Sequence, residues 1–172
     1  MTPATLLVLA ALADAPAAPP PTHQLSFYAR SGLTAYLSSA RTQGGLGGGV
    51  GVRDTLRGLW LLQADVNGLT GLGSVLEVRL GAGVQRPDGW WRPAALVSLT
   101  GLFGDQLGFI MPGESVYARG PTLGVGLTLA PARFSLGSAQ VSLVELGVGV
   151  GGEGVGLSPV YSLTLLEVGV AL

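Results

Sequence analysis

The chain has no cysteine, no lysine and a single histidine, His23, and charged residues fill only 11% of its 172 positions. Without cysteine there is no disulfide, no thiolate metal site and no sulfur for a lipoprotein anchor. The nine arginines are scattered singly, which excludes the basic cluster that tracks a nucleic-acid backbone. Long apolar runs are also missing: none approaches the roughly 20 residues that a membrane-spanning helix needs. Yet hydrophobic residues make up 48% of the chain and mean hydropathy is +0.52. High hydropathy without a long run fits strands that carry apolar side chains at every second position. With 29 glycines and 11 prolines a helical bundle is excluded, because both residues weaken helix interiors. The aliphatic content excludes general disorder, and the length suits one domain.

Residues 75–85 carry the clearest pattern. With period two, Leu76, Val78, Leu80, Ala82 and Val84 share one face, and Glu77, Arg79, Gly81, Gly83 and Gln85 share the other. A soluble protein fills its interior with bulk and sends charge outward. Here one face is aliphatic throughout and the other mixes charge with residues that have almost no side chain. That pattern predicts a strand of a transmembrane β-barrel, aliphatics to lipid and polar groups to a narrow lumen. Energies fix the direction. An Arg near the bilayer midplane costs roughly 2–4 kcal/mol, and each Leu or Val exposed to water forgoes roughly 1.5–3 kcal/mol of burial.

The same alternation recurs along the chain. Residues 1–13 read as a signal peptide, with the apolar core Leu6–Leu12 and the A-x-A site Ala11-Leu12-Ala13. Residues 14–24 read as a Pro-rich linker. From residue 25 to 172 the spacing predicts eight strands of an all-β, antiparallel, up-and-down transmembrane barrel. The first five fall near 25–38, 45–53, 56–66, 75–85 and 90–103. The sixth carries the alternation at 122–129, the seventh runs to about 150, and the eighth ends the chain with Val168, Val170 and Leu172 opposing Glu167, Gly169 and Ala171. Short turns are expected near Asp54, at 87–89 and within 130–140, where Pro131 and Gly137-Ser138 compete. Longer loops are expected at 67–73, opened by Asn67-Gly68, at 104–115 and at 151–159.

In this register the inward charges are Arg30, Arg53, Arg57, Arg79 and Arg92 against Asp65, Glu77, Glu145 and Glu167. An unpaired buried charge is strongly unfavourable, so a Glu–Arg network across the lumen is expected, with inward glycines making room for it. Trp90 and Trp91 suit one interfacial aromatic girdle, Phe103 and Tyr117 the other. The 104–115 loop, with Asp105, Phe109 and Glu114, is the expected contact surface for a surface or envelope partner.

By this pattern, over roughly residues 25–172, the chain resembles small outer-membrane barrels of the OmpA/OmpX type. The resemblance implies the outer membrane of a Gram-negative bacterium, reached by secretion to the periplasm. It also implies the lipid bilayer and the barrel-assembly machinery as partners, and a role in anchoring, adhesion, envelope integrity or small-ligand binding. Such families usually end on an aromatic residue; this chain ends Val170-Ala171-Leu172. Barrel hydrolases of this kind resemble one another in needing an active-site His. His23, beside the Pro-rich stretch, reads as a tail residue with no neighbouring acid. No enzyme activity, cofactor or metal is expected. The G-x-G-x-x-G matches at 147–152 and 149–154 precede more alternation rather than a helix, so they read as strand glycines. Two other readings stay open: a narrow pore kept open by Gly47, Gly81, Gly83, Gly124, Gly126 and Gly147, and a secreted soluble barrel holding a hydrophobic ligand.

Overall fold

The computed structural model describes residues 22–111, 114–152 and 156–172, leaving aside the side chains of 109–118. The signal and most of the linker lie outside the described residues. The elements are β1 (His23–Leu37), β2 (Arg41–Leu56), β3 (Trp60–Gly71), β4 (Ser74–Gln85), β5 (Ala94–Met111), β6 (Glu114–Ala130), β7 (Ala132–Leu136), β8 (Ala139–Gly152) and β9 (Ser158–Ala171). Each pairs antiparallel with its neighbours, and β1 pairs with both β2 and β9, which closes the sheet. β6 and β7 make one stave: β8 pairs with β6 up to Leu129↔Leu146 and resumes on β7 at Ala132↔Leu143. The fold is therefore a closed, all-β, eight-stave antiparallel barrel.

Between those two stretches lie Pro131 and Val144. Proline has no N–H to give the ladder, and Val144 answers it with a left-handed backbone, φ 59°, rare for a β-branched residue. The irregularity shifts the alternation on both strands. Leu143 and Val144 are both exposed, after which Glu145 turns inward. This resolves the 130–140 region: Gly137-Ser138 is the turn, and Ser142 is buried on the inward face while Gln140 reaches Arg53 inside. A second bulge leaves Leu165 outside the β1–β9 register.

The outer wall is aliphatic at the alternating positions, with Leu46, Leu80, Val97 and Leu127 each more than half exposed. The inner wall is layered. Leu61, Ala94, Leu96 and Ala130 form an apolar plug near the end that holds both β1's start and β9's finish. A charged layer follows, and above it Tyr36, Leu69, Val75, Leu102 and Val160 form a second apolar plug. Inward glycines do more than make room. A Cβ on Gly47 or Gly49 would run into the Gly68 or Val66 carbonyl oxygen of β3, so these glycines let β2 and β3 crease sharply together.

Several boundaries differ from the sequence expectation. β1 starts at His23, two residues inside the expected linker. β2 runs through Asp54 to Leu56, and the turn is 57–59. Asn67-Gly68 lies inside β3, which leaves a two-residue turn at 72–73. Most of 104–115 is strand, not loop, since β5 continues to Met111. The expected short-turn, long-loop alternation fails there and at 86–93, an eight-residue connection.

The 72–73 turn is so short that β2 and β5 pass above it and pair directly, Arg41↔Gly108 and Thr42↔Leu107. The barrel thus narrows from eight staves at its waist to six at this rim. Among the described residues the β5–β6 hairpin stands beyond the rest of the wall, because β4 pairs with β5 up to Gly104 and β8 with β6 down to Leu123.

Candidate functional site: the lumen and its two rims

The waist holds four buried arginines, Arg30, Arg53, Arg79 and Arg133, and four buried carboxylates, Asp65, Glu77, Glu145 and Glu167. In a cylinder with little water the two signs must balance, since an uncompensated buried charge costs several kcal/mol. Arg53 on β2 points across the lumen to β9, where Nη2 donates to both Glu167 carboxylate oxygens at 2.7 and 2.9 Å. Its guanidinium also lies 4.6 Å from the centre of the Tyr28 ring, a cation–π contact. The tyrosine hydroxyl donates to Asp65 at 3.0 Å. Gly51 has no side chain because that ring occupies the space.

Asp65 is the hub. It accepts from Tyr28, from Arg30 at 3.4 Å, from Arg79 at 3.3 Å and from Asn67 at 2.9 Å. Arg30 also donates to Thr164. Glu77 accepts from Thr34 at 2.9 Å and Asn67 at 2.8 Å. Among the described residues no arginine lies within ion-pair distance of it, so the expected Glu–Arg pairing fails at this residue. Glu145 accepts from Arg133 at 2.7 Å.

Arg57 and Arg92 do not belong to this network. Arg57 sits in the 57–59 turn with φ 51° and is exposed; placing it in a strand followed from ending β2 too early. Arg92 lies in the 86–93 connection, where Nε donates to the Gly89 carbonyl at 3.1 Å. Arg133 is the inward residue that the sequence reading missed. The parity shift at Pro131 hid it.

Among the described residues the lumen is closely packed. Two voids against its glycines measure about 20 and 10 Å³, room for about one water each. Gly81 faces Gln63 and Leu96, Gly124 faces Val160, and Gly147 faces Ser162. At the six-stave rim Gln43 is fully buried and donates to the Gly104 and Gly120 carbonyls at 3.4 and 3.1 Å. Thr122 donates back to it at 2.6 Å, and Arg41 donates to Gln106 at 3.0 Å. These side chains span the mouth.

Outside this rim, Asp105 accepts from Arg119 at 2.8 Å and from the Ser74 backbone N–H at 2.9 Å. This outward ion pair marks where the aliphatic wall ends. Phe103, one step below, faces outward and is exposed. The Phe109, Glu114 and Tyr117 side chains lie outside the described ones; their backbones continue the β5–β6 ladder.

The opposite rim gathers all three tryptophans of the chain. Trp60 opens β3, and Trp90 and Trp91 lie in the 86–93 connection. That connection is folded against β7. Trp91 bridges to Phe134, and its indole N–H donates to the Pro131 carbonyl at 2.7 Å. Trp90 stacks on Phe134 with ring centres 5.4 Å apart. His23, expected to be a tail residue, is the first residue of β1, and its Nδ1 lies 3.0 Å from Asp54. The pair sits on the outer wall, away from the buried carboxylates. Among the described residues no group of three or more metal-ligating side chains occurs.

No family model matches the chain and no curated protein matches its sequence. Solved structures do. The N-terminal β-barrel domain of Pseudomonas aeruginosa OprF superposes with TM-score 0.55 at 13% identity, covering 86% of this chain and 97% of that one. Ail, the attachment invasion locus protein of Yersinia pestis, solved with the heparin analogue sucrose octasulfate, gives 0.51 at 12%, covering 88% and 100%. Neisserial surface protein A gives 0.50 at 12%, covering 87% and 97%. At such identities the likeness is one of fold: these are small outer-membrane β-barrels, and this chain has their architecture.

Proposed function

We propose that this protein is an integral outer-membrane barrel of a Gram-negative bacterium, with a structural or surface-interaction role and no catalysis of its own. The observation that carries the reading is the inversion of the two walls. The outer surface offers water a continuous aliphatic skin, far beyond the few hundred Å² that soluble proteins tolerate. Among the described residues the interior holds eight buried charges. A bilayer satisfies both at once. Delivery by the 1–13 signal, insertion by the barrel-assembly machinery and residence of the terminal end on the periplasmic side belong to the same proposal. So does contact through the β5–β6 hairpin, which replaces the expected 104–115 loop, and so do the aromatic girdles.

The pore and ligand-carrier alternatives find less support. A pore needs a water path, and the lumen here is crossed by two apolar plugs and a glutamine-spanned mouth. A carrier of hydrophobic ligands needs an apolar cavity, and here the apolar plugs are packed and the layer between them is ionic.

The test is expression with membrane fractionation and a denaturing gel, with and without boiling. Carbonate-resistant outer-membrane recovery and a heat-shifted band are expected. A soluble species with unchanged mobility refutes the reading. Planar-bilayer recording is expected to give no steady conductance, and a stable unitary step would restore the pore.

A further inference from the structure

We infer that the terminal-end rim is a binding surface for anionic phospholipid headgroups, built from Arg57, Arg86 and Arg92 among the three tryptophans. The inference rests on the membrane reading above and adds which lipid chemistry this rim selects.

The two basic segments are stitched together. The Gln85 backbone N–H donates to the Leu59 carbonyl at 2.8 Å, and its side-chain amide donates to the Gly58 carbonyl at 3.1 Å. This joins the 57–59 turn to the start of the 86–93 connection. The connection is in turn fixed to β7: the Arg92 N–H donates to the Arg133 carbonyl and the Ser135 N–H to the Trp90 carbonyl, each at 2.8 Å. The arginines therefore stand on a rigid platform. Within 57–59 and 86–93 there are three arginines and one acid, Asp88; with Asp54 at the end of β2 beside His23, the rim keeps an excess of one positive charge. Among the described residues none of the three arginines makes an ion pair. Arg119 at the other rim is matched by Asp105.

Arg86 lies over the Trp91 ring, 5.8 Å from its centre. Indoles at the edge of an aliphatic belt sit at headgroup level. A guanidinium held there is at phosphate height, and its planar fork pairs well with phosphate oxygens. Zwitterionic headgroups carry a compensating cation, so excess positive charge favours anionic ones.

All three tryptophans lie at this rim, so tryptophan emission, excited where tyrosine does not absorb, reports on it alone. The full-length barrel is folded into phosphatidylcholine vesicles with the same mole fraction of either phosphatidylglycerol or phosphatidylcholine, brominated near the headgroup. We expect the brominated anionic lipid to quench more strongly, as if enriched roughly fivefold around the indoles, which is what about 1 kcal/mol produces at one basic side chain. The preference should fall to parity in R57Q/R86Q/R92Q, persist in R119Q, and collapse in the unaltered protein at high salt. Should the triple variant not fold, judged by its heat-shifted band, the salt series alone decides. Equal quenching by both lipids at low salt overturns the inference while leaving the membrane reading intact. Absence of quenching by either overturns the membrane reading itself.

Discussion

Replacing Glu167 by glutamine tests the charge-balanced lumen directly. Glu167 and Arg53 are each about 2% exposed or less, and two short hydrogen bonds join them. Glutamine keeps the shape and one acceptor but removes the charge, so four arginines then face three carboxylates. The remaining acceptors near Arg53, Gln63 at 3.3 Å and Gln140 at 3.5 Å, are neutral. Breaking a buried pair this way costs about 3–5 kcal/mol, roughly two to four decades in the unfolding constant. Arg53→Met alone should cost a similar amount, because Glu167 is then stranded. The double variant Arg53→Met/Glu167→Leu should recover most of the loss, since a buried pair exchanged for apolar groups of similar volume is often neutral. Urea unfolding of the barrel in vesicles, followed by loss of the heat-shifted band, gives all three values. Two single variants that each lose under about 1 kcal/mol and add in the double would match a water-screened pair. The interior would then be wet, and the charge-balance argument wrong.

Three further outcomes follow from the walls and the crease. Leu80→Arg, at mid-height on the outer face, should destabilise the bilayer-embedded barrel by about 2–4 kcal/mol, and Leu136→Arg, beside the terminal-end turn, by about 0–1 kcal/mol. Equal costs in vesicle unfolding would mean that no hydrocarbon belt exists. Gly49→Val drives its side chain into the Val66 carbonyl and should abolish the heat-shifted band, whereas Gly68→Ser, with open space around its Cα, should leave it. Trp91→Phe removes the bond to the Pro131 carbonyl and should lower stability by about 1 kcal/mol, read from the same unfolding curve.

The outward and inward faces were legible because the side-chain period of a strand is two and the segments keep it. Legibility ended where the period breaks. Pro131, Val144 and Leu165 each shift the alternation by one, which concealed Arg133. Turn chemistry misled at Asn67-Gly68: the Asn67 side chain is spent on Asp65 and Glu77 inside the lumen, so the pair stays in a strand. Parity alone points Arg57 and Arg92 inward, but β2 reaches Leu56 and β5 starts at Ala94, which leaves both arginines in connections. The apolar plugs were hidden because Trp60-Leu61-Leu62 is hydrophobic on both faces, and alternation cannot say which residue goes in. The β2–β5 contact joins positions 41–42 to 107–108, and nothing local announces it.

That contact changes what the outside world meets. With β2 and β5 zipped over the 72–73 turn, the β3–β4 hairpin is roofed by its own neighbours. An epitope inserted between Leu72 and Gly73 would have to prise the ladder Arg41–Gly108 apart, while one placed at 38–40 would not. The wall has woven its own lid.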